Sequence, residues 1–174
     1  MTKNTKGKGF FYPNTIVTEK DIEKAELQTG KFPTKYKLFV LQYQVDFDNL
    51  NREKESPITS YLGNQEYRLC ELFVLDEIQY YMVNLQHFYP DGHQIKFGLI
   101  QIGVGGHTGE KYFLGNQDWN MDMMYMIDTN EVFDDLEDVI ITEEMKIDFN
   151  HQFKIANDIL EFIEGLRYDT SETS

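Results

Sequence analysis

The sequence predicts a single α+β domain with a central, mostly antiparallel sheet, N-terminal helices and a C-terminal helix packed on it. Its 174 residues match the usual size of one domain. Its hydrophobic content of 41% and aromatic content of 14% suit a packed core. Strand-like apolar runs lie in the middle of the chain, and helical periodicity recurs near both ends. We expect the domain to span residues 15–168, with loose tails at 1–14 and 169–174.

The middle of the chain reads as a strand, a tight turn and a second strand. Residues 97–102 are mostly apolar, four glycines fall within residues 103–109, and the apolar run resumes at 112–114. Glycine tolerates positive φ and close backbone approach, so this cluster predicts a hairpin. We expect this hairpin to lie at the centre of the sheet, with helices from both ends of the chain covering one sheet face.

Two helices are predicted before it. Thr18 is a suitable N-cap and Gly30 a suitable end residue for a helix over residues 19–29. Pro33 suits the start of a second helix over about 34–43. In that helix, apolar residues follow the i, i+3, i+4, i+7 spacing of a buried stripe, namely Tyr36, Phe39, Val40 and Tyr43. The polar stretch 46–57 is expected to be a loop.

The remaining elements follow from apolar runs and turn residues. Residues 58–75 predict two short strands, and Asp76 is a candidate cap for a helix that ends at the turn 89–92. The Met-rich run 121–127 predicts a third long strand, buried between sheet and helix in preference to a binding surface. The broad apolar pattern of residues 150–167 predicts one final helix.

The search for cofactor and metal motifs is negative. The glycines of the hairpin match neither a dinucleotide fingerprint nor a phosphate loop. No zinc-type spacing links the four histidines, which are His87, His93, His107 and His151. The single cysteine, Cys70, permits no intramolecular disulfide, and there is neither a signal-peptide pattern nor a long apolar run. We expect a cytoplasmic protein without a cofactor or metal.

One catalytic arrangement stays open as an alternative. Cys70 or a serine could act as nucleophile with His107 and Glu110, since the glycine-rich turn would expose that histidine. This enzymatic hypothesis predicts the loss of a measurable turnover on His107→Ala. A histidine and a glutamate in one hairpin are also common by chance, so a role at the turn surface is preferred.

The charge distribution indicates what kind of partner the chain would attract. The formal net charge is −14, and residues 1–37 carry 8 basic and 4 acidic residues, so the remainder carries 8 − 26 = −18. Such a surface repels nucleic acid and anionic lipid and attracts a cationic protein. A solvated face that only promotes solubility is the alternative. Our candidate partner-binding residues are Asp118, Asp122, Asp134, Asp135, Glu137 and Asp138; the wider acidic cluster includes Glu143 and Glu144.

Several short motifs resemble the SUKH superfamily. The first helix ends at Gly30, and Phe32-Pro33-Thr34-Lys35-Tyr36 opens the next one. Leu99-Ile100-Gln101-Ile102-Gly103 then precedes the glycine-rich turn and Tyr112-Phe113-Leu114, before the C-terminal helix. The chain has one residue fewer between Gly30 and Phe32 than the family pattern, Gln101 replaces its usual proline, and Gln44-Val45-Asp46-Phe47 replaces its Asn-Gly-Gly-like turn.

The resemblance implies an α+β domain and a non-enzymatic role. Many bacterial members of the superfamily are immunity proteins that bind and neutralise a toxin domain, often a nuclease. We therefore expect an immunity protein that binds a cationic toxin through its acidic surface. A regulatory or scaffold domain that binds a different protein partner is the alternative that the same resemblance implies.

Overall fold

The computed structural model describes residues 11–45, 58–62, 65–72, 98–105, 109–128 and 142–168. The helices are α1 (Glu19–Thr29), α2 (Thr34–Gln42), α3 (Glu143–Phe153) and α4 (Ile159–Gly165). The strands are β1 (Phe11–Pro13), β2 (Tyr43–Val45), β3 (Ile58–Leu62), β4 (Gln65–Leu72), β5 (Leu99–Gly105), β6 (Glu110–Gly115), β7 (Met124–Asp128), β8 (Lys154–Ala156) and β9 (Leu166–Tyr168). These described elements form an α+β domain, as the sequence predicts.

Seven strands form one sheet in the order β8-β7-β6-β5-β4-β3-β9, and every neighbouring pair is antiparallel. The predicted hairpin is confirmed: β5 pairs with β6, from Leu99 opposite Gly115 to Val104 opposite Lys111. It occupies the centre of the sheet. The two short strands predicted within 58–75 are also confirmed, as the β3–β4 hairpin.

Successive residues of the central strands belong to two different cores. Ile100, Tyr112 and Leu114 lie in the larger core with apolar residues of α1, α2 and α4, whereas Leu99 and Phe113 lie in a second core with Phe149 of α3. This follows from the period of two along a strand. The expectation that the helices cover one sheet face holds for α1, α2 and α4 but is wrong for α3, which packs on the opposite face.

The N-terminal helices begin and end where the sequence predicts. The carboxylate of Asp21 accepts hydrogen bonds from the backbone N–H and the hydroxyl of Thr18, and Gly30 ends α1 at φ 82°. Three residues of the α2 stripe are buried: Tyr36, Phe39 and Val40. The fourth, Tyr43, is 42% exposed, because α2 ends at Gln42 and Tyr43 starts β2. Its inclusion in the helical stripe was wrong.

The start of the described chain is bound to α2. β1 pairs with β2, and the Asn14 side-chain amide donates hydrogen bonds to the carbonyls of Val17 and Leu41. Residues 11–14 lie within the predicted loose tail, yet these contacts fix them against the helical layer.

The prediction of one helix over 150–167 is wrong. The chain instead forms α3, the short strand β8, α4 and then β9. β8 pairs with β7, with Ala156 opposite Met124, so its backbone polar groups bond to the sheet. Asn157 and Asp158 follow β8. Asparagine and aspartate side chains hydrogen-bond to nearby backbone groups, which favours these residues at helix ends over helix interiors.

The Met-rich strand begins later than predicted. Met121 and Asp122 belong to a turn, and β7 starts at Met124, which is fully buried. Asp122 has φ 71°, a left-handed conformation that a strand does not contain. The predicted loop 46–57, the helix from Asp76 and the turn 89–92 lie outside the described residues, as does most of the glycine-rich turn, 106–108.

Candidate interaction surface

Two of the six candidate carboxylates lie in the loop between β6 and β7, residues 116–123, here called the β6–β7 loop. Asp118 is exposed and Asp122 is half-buried. Asp134, Asp135, Glu137 and Asp138 lie outside the described residues, so their assignment stays a prediction. Glu143 and Glu144 of the wider acidic cluster lie in the first turn of α3, where negative charge is favourable, and both are exposed.

The β6–β7 loop is fixed by a fully buried asparagine. The Asn120 side-chain amide donates to the Gly98 carbonyl (3.2 Å), and its Oδ1 accepts from the Gln117 backbone N–H (2.9 Å). The Gly98 carbonyl also accepts from the backbone N–H of Asn116 (2.8 Å). Because one loop thus bonds to itself and to the start of β5, the backbone that carries its acidic residues is held in a defined position.

Two glycines allow this close contact. A Cβ on Gly115 would lie 2.1 Å from the Asn120 carbonyl oxygen, and a Cβ on Gly98 would lie 1.8 Å from Cγ of Gln117. Gly98 also has φ 63°, which L side chains rarely adopt. Only glycine fits at either position without moving the loop.

Trp119 of the loop contacts α3, and the charge of Asp122 acts on a lysine of α2. Trp119 packs edge-on against Phe149 of α3, with ring centroids 6.2 Å apart, and the Lys146 ammonium lies 5.9 Å from the Trp119 ring. Asp122 lies close enough to Lys35 of α2 for its charge to raise the pKa of that lysine. The Oδ1 atom of Asp122 is buried and accepts no hydrogen bond from the described residues.

An ion pair that the sequence analysis did not identify joins α2 to α4. The Lys35 ammonium donates to Oδ2 of Asp158 at 2.5 Å. Oδ1 of the same carboxylate accepts from the backbone N–H groups of Leu160 and Glu161, both at 2.9 Å, and so caps the start of α4. The Asp158-x-x-Glu161 spacing is a helix-start signal that could have located this cap.

Both members of the pair have shifted pKa values. Burial raises the pKa of the Asp158 carboxyl, but the hydrogen bonds from Lys35, Glu161 and Leu160 together hold it below its ordinary value. The hydrogen bond to Asp158 and its charge raise the pKa of the Lys35 ammonium, with further contributions from Asp122 and Glu161. Three carboxylates therefore favour the charged form of Lys35, and Asp158 is the one in contact with it.

The residues of the catalytic alternative are not brought together by the described chain. His107 lies outside the described residues, and Glu110 lies at the start of β6, opposite Asp128. Cys70 lies in β4, where the pairing register with β5 shifts between Leu69 and Glu71. Among the described residues, no three His, Cys, Asp or Glu side chains are grouped as a metal site requires.

In comparisons with protein-family models, curated proteins and solved structures, nothing matches this chain. None of the helices in the described part of the chain combines the length and apolar character that crossing a membrane requires.

Proposed function

We propose that the chain is a non-enzymatic immunity protein of the SUKH type that binds and neutralises a cationic, nuclease-type toxin. The observation that carries the proposal is the β6–β7 loop, whose backbone is fixed by the buried Asn120 and which carries Asp118 and Asp122. Carboxylates on a fixed backbone can match cationic side chains at a lower ordering cost than carboxylates on a mobile loop would incur.

The overall charge supports the same kind of partner. A net charge of −14 would speed encounter with a basic protein and would weaken contact with nucleic acid. A nuclease carries a basic surface for its substrate, so a protein that occupies that surface would block it. Two N-terminal helices followed by a central hairpin occur in the order on which the SUKH resemblance rests, whereas α3, β8 and α4 stand where the resemblance expects one C-terminal helix.

The test uses the protein encoded beside this gene. The purified chain and that product are mixed, and binding is measured by isothermal titration calorimetry at low and at physiological salt. We expect tight binding that weakens as salt rises, together with inhibition of the partner's nuclease activity. A neighbouring product that neither binds nor is inhibited would contradict the proposal and would favour a regulatory or scaffold role with a different partner.

The candidate residues are tested with charge-matched variants. Asp118→Asn with Asp122→Asn removes two charges from the β6–β7 loop, and Glu144→Gln with Asp148→Asn removes two from the exposed side of α3. We expect the first pair to weaken binding more than the second. In a further variant all six candidate carboxylates are changed to alanine, and binding that stays tight would show that their assignment is wrong.

A further inference from the structure

Three exposed apolar side chains lie within three residues in sequence of Lys35, Asp158 and Asp122. Leu38 is 50% exposed, Leu160 is 41% exposed and Met121 is 38% exposed. Each belongs to a different element: α2, α4 and the β6–β7 loop. Large apolar side chains exposed together near one point of a domain are a feature of interaction sites.

The ion pair joins α2 to α4, and the Asn116 side-chain amide of the β6–β7 loop donates to the Thr29 carbonyl (3.4 Å) at the end of α1, shortly before α2 begins. Lys35 and Leu38 are three residues apart on α2 and so lie on the same side of that helix. Lys35 contacts Asp158, two residues before Leu160. Asp122, which follows Met121, is close enough to act on the Lys35 charge. We call Leu38, Met121, Asp122, Asp158, Leu160 and Glu161 the α2–α4 surface.

The charge of this surface identifies the chemistry of its occupant. Its three carboxylates are opposed at the centre by the single ammonium of Lys35, whose side chain is 49% exposed. Asp158 is buried and paired with this ammonium, so the negative charge available to a partner comes from Asp122 and Glu161. A basic segment that also carries apolar side chains fits this pattern, since interfaces combine an apolar centre with polar groups at the rim.

We infer that the partner docks on the α2–α4 surface through an amphipathic basic segment, whose apolar side chains contact Leu38, Met121 and Leu160 while its cations face the carboxylates. This inference rests on the proposed function for the identity of the partner. The location of the surface and the chemistry of its occupant are tested separately.

The first experiment needs no toxin. A synthetic helical peptide of leucine and lysine is titrated into the isotopically labelled chain, and backbone amide shifts are followed by NMR. We expect shifts concentrated at residues 35–42, 116–123 and 157–164, and weaker effects from a peptide of lysine alone. Shifts centred on another part of the chain, or equal shifts from the lysine peptide, would overturn the inference.

The second experiment uses the product of the neighbouring gene. Leu38→Arg with Leu160→Arg alters the α2–α4 surface, and Leu27→Arg with Ile147→Arg makes the same chemical change at positions 88% and 57% exposed on α1 and α3. Each pair adds two positive charges, so the long-range attraction between the chain and a cationic partner falls by the same amount in both variants. We expect the first pair to bind about tenfold more weakly than the second.

The two experiments separate the inference from the proposed function. If both arginine pairs weakened binding equally, the assignment of the α2–α4 surface would be wrong, and the immunity role would be unaffected. A neighbouring product that does not bind the unaltered chain would contradict the immunity role, and the peptide titration would still decide where a basic amphipathic segment docks. Thermal unfolding of both arginine variants checks that each is folded.

Discussion

Lys35 and Asp158 form an ion pair between residues 123 positions apart, and the same aspartate caps α4. One carboxylate therefore links the N-terminal helices to the C-terminal part of the chain. Its two roles are separable by substitution, because asparagine is also a good N-cap but carries no charge.

Asp158→Ala should lower the free energy of unfolding by about 1–2 kcal/mol, since it removes both the cap and the ion pair. Asp158→Asn should cost less than about 1 kcal/mol, because Lys35 is half-exposed and an ion pair of this kind contributes little. Urea unfolding measures both. Equal losses for the two variants would show that the charge, rather than the cap, carries the stabilisation, and Lys35→Met serves as the control for the pair alone.

The stability of the fold should decrease at acid pH. The pKa of Asp158 is lower in the folded chain than its ordinary value, and the pKa of Asp21 is lowered by the hydrogen bonds from Thr18. A carboxyl with a lowered folded pKa stabilises the fold above its unfolded pKa of about 3.9 and loses that contribution as pH falls through its folded pKa. Midpoints of thermal unfolding from neutral to strongly acid pH would show this decrease, and Asp158→Asn should make it shallower. Parallel curves for the two proteins would contradict the role assigned to Asp158.

Asn120→Ala should destabilise the fold by about 1–2 kcal/mol, because it leaves the partly buried Gln117 N–H without its acceptor and removes one donor from the Gly98 carbonyl. Asn120→Asp should cost more, because a buried carboxylate would replace that amide donor and face a carbonyl oxygen. Denaturant unfolding gives both values. If the two variants were equally stable, the hydrogen bond to Gly98 would not be essential to the loop.

Gly115→Ala should lower stability by about 2–4 kcal/mol, because the added methyl group would meet the Asn120 backbone carbonyl, which cannot move without opening the loop. The methyl group of Gly98→Ala would instead clash with the exposed Gln117 side chain. Alanine at this positive φ costs about 1–2 kcal/mol in addition. We expect Gly115→Ala to be the more destabilising of the two. Calorimetric unfolding ranks them, and the reverse order would show that the loop adapts more readily than its contacts suggest.

Tyr125→Phe should cost about 1 kcal/mol, because the Tyr125 hydroxyl is hydrogen-bonded to Oδ1 of Asn150 at 2.6 Å and ties β7 to α3. The ring itself stays packed against Phe149, at a centroid distance of 5.1 Å. A double-mutant cycle with Asn150→Ala isolates the hydrogen bond from other effects of each substitution. A coupling energy near zero would show that this bond does not stabilise the contact.

Elements with local signals were predictable from the sequence. Thr18 marks the start of α1 and Gly30 marks its end, and Pro33 precedes α2. The glycines between two apolar runs predict the central hairpin. The strand β8 was not predictable in the same way, because Ile155 and Ala156 suit a buried helix face equally well, and pairing with β7 decides between the two.

The site was predictable only in part. The excess of acidic residues predicts that Asp118 and Asp122 bind a partner. A count of charges does not indicate which carboxylates lie beside a cation in the folded chain. The pairing of Lys35 with Asp158 depends on the packing of α2 against α4, which no short window of sequence contains. The exposure of Leu38 and Leu160 likewise depends on which side of each helix contacts the core.

The sheet order has a consequence for the behaviour of the chain at high concentration. Within the described residues, the two outermost strands of the seven-stranded sheet, β8 and β9, are each three residues long, whereas β4 and β5 in the interior have eight and seven. Unpaired backbone groups at a sheet edge act as a template for strands of other molecules, and short edges offer few of them. The arrangement keeps the long apolar strands away from intermolecular pairing and so protects the folded chain against edge-to-edge aggregation.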